Sequence, residues 1–174
     1  MGWLDEVGAT VAAEFADFGD VAQITRIVVR LGLAALLGFA LGFEREQRGK
    51  AAGIRTHMLV AIGSALFVLV PQSSGIVAAD MSRVIQGLIA GVGFLCAGTI
   101  LKSGRDDQQV QGLTSAAGLW MTAAIGLACG LGREMMAVLS TLLALAVLSL
   151  MPRLLGLVER ALGEPADKET TPER

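Results

Sequence analysis

The sequence predicts an all-α fold: a polytopic membrane helical bundle of about five transmembrane helices preceded by an amphipathic N-terminal helix. Three observations carry this. The chain is 53% hydrophobic and only 17% charged, with a mean hydropathy of +0.63, whereas a soluble domain carries about 25% charged residues. The few charges are confined to short segments and leave long runs without any. Those runs do not alternate with period two, as the strands of a transmembrane barrel do.

The same composition excludes other classes. Disorder is excluded, because the chain is too apolar and its net charge is only −2. Its two cysteines, Cys96 and Cys129, lie in apolar runs and make no disulfide framework. The 22 glycines follow no fixed period, so the chain is neither collagen-like nor a heptad rod. Fourteen basic residues face sixteen acidic ones, so no nucleic-acid partner is expected.

In chain order, residues 1–23 form the amphipathic segment. Trp3, Leu4, Val7, Val11, Phe15 and Phe18 follow helical spacing, with Asp5, Glu6, Glu14, Asp17 and Asp20 opposite. This is a helix for the membrane interface or the side of the bundle, as a short anchor or a partner-binding face. Five acids in twenty residues do not fit a signal peptide. The transmembrane domain takes residues 24–160. No acid, Lys or Arg occurs in the ranges 56–79, 84–101, 108–132 and 135–152. A helix needs about 20 mostly apolar residues to cross about 30 Å of hydrocarbon. A fifth run, 27–43, carries only Arg30, which can snorkel to the interface. The spans are read as 27–43, 57–76, 84–101, 113–131 and 135–152. Pro71 kinks or ends the second, and Gln72, Ser73, Ser74 and Gly75 form the turn beyond it. Residues 161–174 read as a disordered tail.

Loops one and three and the C-terminus lie on one side of such a bundle. That side holds Arg45, Arg48, Lys50, Arg55, Lys102, Arg105, Arg153 and Arg160. The other holds Arg26, Arg30, Arg83 and Arg133. The positive-inside rule assigns the first side, with the C-terminus, to the cytoplasm and the N-terminus to the outside.

Loop one is the unusual segment. Glu44 and Arg48 are four apart, as are Glu46 and Lys50, so each pair faces on one helical turn. Gly53 breaks the run, and Thr56 is placed to cap the second span. Orientation needs bases only, and two glutamates among them leave two readings open. Glu44, Arg45, Glu46, Arg48, Arg55 and Thr56 are either a solvated anchor or a buried ion-pair network at the bundle mouth. Glu44 with Arg55 is the pair such a network would turn on.

GFALGFEREQRGKAAGIRTHMLVAIGSALF, residues 38–67, resembles the signature of the MgtC/SapB family of bacterial inner-membrane proteins. DMSRVIQGLIAGVGFLCAGTIL at 80–101 and VQGLTSAAGLWMTAAIGLACGLG at 110–132 resemble its next two motifs, in the family's order. The resemblance covers roughly residues 27–155. Met81, Cys96, Gln111 and Ser115 depart from the family's usual Pro, Gly, base and Thr. Some members carry a soluble C-terminal domain, and none is expected after the last span here.

The resemblance implies a regulatory or interaction protein of the bacterial inner membrane. It links the chain to growth in low magnesium, acid tolerance and survival inside host cells. In one branch it implies action on the membrane sector of the ATP synthase. The alternative it leaves is a magnesium or other cation transporter or channel. No inner carboxylate marks a midplane cation site, and no inverted repeat is visible.

The remaining residues have structural readings. Gly38 with Gly42, Gly87 with Gly91, and Gly126 with Gly130 are spaced for close helix packing, within the chain or in a homo-oligomer, and Gly98 adds another small residue. Asp80 and Arg83 can pair at the outer mouth, or Asp80 can cap the third span. His57 has no second ligand nearby and reads as an interfacial polar residue. Trp120 lies mid-span, where it would pack helix to helix. Thr99, Thr114, Ser115 and Thr122 would bond back to their own helices. No nucleophile with its base, phosphate loop or metal spacing is present, so no enzyme activity, cofactor or metal is expected.

Overall fold

The structure, a computed structural model, describes residues 2–14, 20–75, 77–103 and 112–161. These form six helices and no strand: α1 (Trp3–Glu14), α2 (Val21–Gln47), α3 (Ile54–Ser73), α4 (Ala78–Ser103), α5 (Leu113–Gly130) and α6 (Glu134–Ala161). The last five are each long and apolar enough to cross a membrane, as the charge gaps predict. The chain is therefore an all-α, multi-pass membrane bundle.

Helix ends extend past the hydrophobic runs. α2 starts six residues before the apolar run at 27, because Asp20 accepts a hydrogen bond from the Ala22 amide at 2.9 Å and caps it. At its other end Gly49 takes φ 62°, and the amides of Gly49 and Lys50 return to the carbonyls of Glu46 and Arg45. That pairing closes the helix and turns the chain. Pro71 sits inside the last turn of α3, which ends at Ser73 rather than at 76. α4 begins six residues ahead of the expected 84, and α6 runs through Pro152 to Ala161.

α5 is the central helix. It touches α2, α3, α4 and α6, and just over half of its span is buried. α3 lies against both α2 and α5. Glycine makes that possible. A Cβ on Gly38 would lie 2.8 Å from the His57 carbonyl oxygen, and one on Gly42 would lie 2.6 Å from the Ile54 Cα. From the other side, a Cβ on Gly126 would run into the Ala61 backbone, and one on Gly130 would lie 2.5 Å from the Ala65 carbonyl oxygen. Lipid supplies no hydrophobic drive between helices, so close backbone contact of this kind is what joins them. Ala34, Leu37, Leu41, Ala61, Ala65, Ile125, Cys129 and Ala137 form the core around it.

The glycines of α4 behave differently. A Cβ on Gly87, Gly91 or Gly98 meets nothing within 4 Å. A side chain at these positions would find open space. Trp120 is half exposed on the surface of α5 instead of packing between helices. α1 is exposed along its length and touches none of the other described helices. Phe15, Phe18 and residues 162–174 lie outside the described residues.

The glycine contacts set a measurable contrast. Gly126→Val should lower stability by about 1–3 kcal/mol through overpacking against α3. Gly98→Ala should stay within about 0.5 kcal/mol of the parent. Thermal unfolding in detergent, followed by circular dichroism, reads both.

Candidate functional site

Two polar constellations close the bundle, one at each end. The first is built from the loop-one segment. Glu44, in the last turn of α2, meets Arg48 Nε at 2.6 Å and Arg45 Nη1 at 3.6 Å. The contact with Arg48 is the one that the four-residue spacing predicts. These are ion pairs without hydrogen-bond alignment, since both Glu44 oxygens lack a bonded donor. Glu44 is 9% exposed and Arg45 only 2%. Arg48, Arg55 and Thr56 are exposed. Arg55 makes no ion pair with Glu44: it sits in the first turn of α3, turned to the surface.

Glu46 does not pair with Lys50. Its Oε2 accepts a hydrogen bond from the Ile54 amide at 2.8 Å. The carboxylate thus caps α3 from the neighbouring helix and sits at the positive end of its dipole. Gly53 permits this approach, because a Cβ there would lie 2.6 Å from Glu46 Oε2. α3 starts at Ile54 with Gly53 as its cap residue, so Thr56 falls inside the first turn and is not the cap.

His57 is wholly buried, not interfacial. Its Nδ1 lies 3.0 Å from the Gly53 carbonyl oxygen. A carbonyl only accepts, so Nδ1 carries the hydrogen and Nε2 is left as an acceptor. Nε2 has no hydrogen-bond partner among the described residues and faces Gly118 of α5, where a Cβ would lie 3.6 Å away. The charges of Arg45 and Glu44 both reach this imidazole. Arg45 Nε and Nη2 are likewise buried and unpartnered. Among the described residues, two guanidinium donors and one imidazole acceptor are thus buried without a hydrogen-bond partner. Each such group costs about 1–3 kcal/mol when unmet. Among the described residues no group of three or more His, Cys, Asp or Glu is placed to hold a metal.

The second constellation centres on Arg30, which the charge pattern marks only as a snorkelling base. Its Nη1 donates to Gln72 Oε1 and to the Gly130 carbonyl oxygen, each at 3.0 Å. Its Nε lies 3.7 Å from Glu134 Oε1. One guanidinium on α2 thus joins the C-terminal ends of α3 and α5 to the start of α6. It also neutralises the negative end of the α5 dipole. Gly132, at φ 72°, makes room, because a Cβ there would run into the guanidinium. Gln72, Gly132 and Glu134 carry no sequence signal for this role, although a lone base inside an apolar span was a cue to seek partners.

Asp80 and Arg83 are both exposed at the start of α4 and form no ion pair with each other. Asp80 lies in the first turn, the position that favours an acid. Thr99 and Thr122 bond back to their own helix as expected. Cys96 donates its thiol to the Ala116 carbonyl oxygen at 3.2 Å and ties α4 to α5.

Residues 31–157 match the profile of the MgtC family. The putative magnesium transporter YhiD of Escherichia coli K12 is 41% identical over 134 residues, covering 73% of this chain and 61% of that protein. Protein SrpB of Synechococcus elongatus is 45% identical over 137 residues, 72% of this chain and 74% of SrpB. Protein MgtC of Brucella abortus is 43% identical over 128 residues, 72% of this chain and 51% of that protein. The chain thus spans about half to three quarters of these relatives. No solved structure matches it.

The two constellations predict unequal effects. Arg30→Gln should cost about 2–3 kcal/mol, as charged hydrogen bonds between helices are lost. Glu46→Ala should cost about 1 kcal/mol, the usual value of a helix cap. Arg55→Ala should change stability by less than about 0.5 kcal/mol. Thermal melts of the three variants in one detergent give the ranking.

Proposed function

The chain belongs to the MgtC family, and on that premise we propose that it is a regulatory membrane protein that docks onto a transmembrane helix of another protein. It is not an enzyme in this reading. The uncovered outer face of α4 carries the proposal. Ala90, Gly93 and Ala97 recur at helical spacing and are all exposed, and a Cβ on Gly93 or Gly98 meets nothing within 4 Å. On α2 and α5 the paired glycines are filled by the backbone of α3. An α4 face of the same character supports a further helix, supplied by a partner.

In the bacterial inner membrane this reading puts loops one and three and the C-terminus in the cytoplasm, with α1 outside. The loop-one cluster then faces the cytoplasm. The family's links support a role in adaptation to low magnesium or acid stress, with the membrane sector of the ATP synthase proposed as one kind of partner. A second copy of the chain could use the same face and make a homo-oligomer. The name of the E. coli relative favours a second reading, transport of magnesium or another cation, which would call for a pore built from several copies.

A photo-crosslinking residue at Ala97, in native membranes, should capture another membrane protein, whereas one at Leu142 on α6 should not. A deletion strain in low magnesium should be rescued by wild type and not by stably inserted Ala97→Leu. Crosslinks to this chain alone would overturn the docking reading. Magnesium flux in liposomes holding only the purified protein would favour transport instead.

A further inference from the structure

An apolar groove of about 570 Å³ runs between α3 and α4 and opens to the side. Leu59, Gly63 and Phe67 of α3 line it together with Gly87, Gly91 and Leu95 of α4. It exists because α4 is anchored on α5, through contacts such as Cys96 to Ala116, and leans away from α3. A Cβ on Gly63, Gly87 or Gly91 would find open space. In a bilayer such walls are covered by hydrocarbon, because a gap forfeits dispersion contacts on one side.

The dimensions select the occupant. From Val84 to Leu95 the groove is about 16 Å long at 1.5 Å per residue, roughly half of a ~30 Å hydrocarbon core. A partner helix crosses the whole core and is about 10–12 Å wide. An acyl chain of one leaflet matches the groove's length.

Charge at the groove's Val84 end completes the match. Arg83 stands one turn above Gly87 on α4, and Asp80 lies one turn further out. Both are exposed, and neither has an ion-pair partner among the described residues. Left unpaired, they complement a headgroup with both signs of charge: guanidinium to phosphate, carboxylate to ammonium. We propose that the groove binds one amine-bearing zwitterionic phospholipid, with an acyl chain between α3 and α4 and its headgroup on Arg83 and Asp80. This site lies beside the outer α4 face and does not depend on the docking reading.

The full chain, purified in mild detergent and stripped of lipid, can be titrated with phosphatidylethanolamine or phosphatidylglycerol and read by native mass spectrometry. One phosphatidylethanolamine should bind per chain, about threefold more tightly than phosphatidylglycerol, the scale of an exposed ion pair. Gly91→Leu, which fills the groove, should weaken binding about tenfold or more by excluding the acyl chain. Asp80→Asn should erase the headgroup preference, and Arg83→Ala should weaken both lipids. Neither of these exposed substitutions touches the core, so their binding data stand even if Gly91→Leu folds poorly. Absence of a saturable one-to-one complex would overturn the proposal, as would equal binding of the two lipids by the parent chain. Near-complete disulfide dimers of Gly91→Cys in native membranes would also overturn it, by putting a second copy in the groove.

Discussion

The bundle depends on one close contact, the backbone of α3 pressed between glycines of α2 and α5. Gly38 and Gly42 receive it from one side, Gly126 and Gly130 from the other. Ala61 and Ala65, both wholly buried, are the small residues of α3 that complete the fit. In a solvent as apolar as the side chains themselves, helices gain from contact only when they approach closely. The remaining spans are arranged around this triple layer. α6 packs on α2 and α5, and α4 leans on α5 and leaves its own glycines uncovered.

That contact also explains where polarity can be buried. His57 lies on the α3 surface that Gly38 and Gly118 approach, so the helix junction that excludes lipid also excludes water from the imidazole. Arg45 and Glu44 are drawn in beside it because α2 ends there. At the opposite end Arg30 uses the carbonyl that α5 leaves unpaired at Gly130. Both ends of the bundle are thus closed by charge and its middle by small residues. This division follows from the cost of an unmet polar group in hydrocarbon.

The sequence made the spans legible because missing charge is a local property. Their ends were less so. α2 and α4 run on past the last apolar residue, since caps such as Asp20 and the turn at Gly49 end a helix independently of hydropathy. In the loop-one cluster, the Glu44–Arg48 contact was readable from four-residue spacing. The cap from Glu46 was not, because its partner, Ile54, lies across a turn whose geometry Gly49 and Gly53 set. Arg30 was misread for the same reason at longer range, with partners 42 and 100 residues away. His57 was misread because nothing local distinguishes a buried imidazole from an interfacial one. The paired glycines all looked alike in sequence, and only the three-dimensional arrangement separates those of α2 and α5, which meet α3, from those of α4, which do not.

The span of the Arg30 bonds orders the birth of the molecule. α2 and α3 are joined by a short turn and by the Glu46 cap, eight residues apart, so they can pair as a hairpin as soon as both leave the ribosome. Arg30 cannot reach the Gly130 carbonyl until α5 has been synthesised, nor Glu134 until α6 has begun. Its guanidinium therefore has only Gln72 of the first hairpin to bond through the insertion of two further helices. The glycine interface of the first hairpin is made early and locally, and the charge that joins four helices is satisfied last.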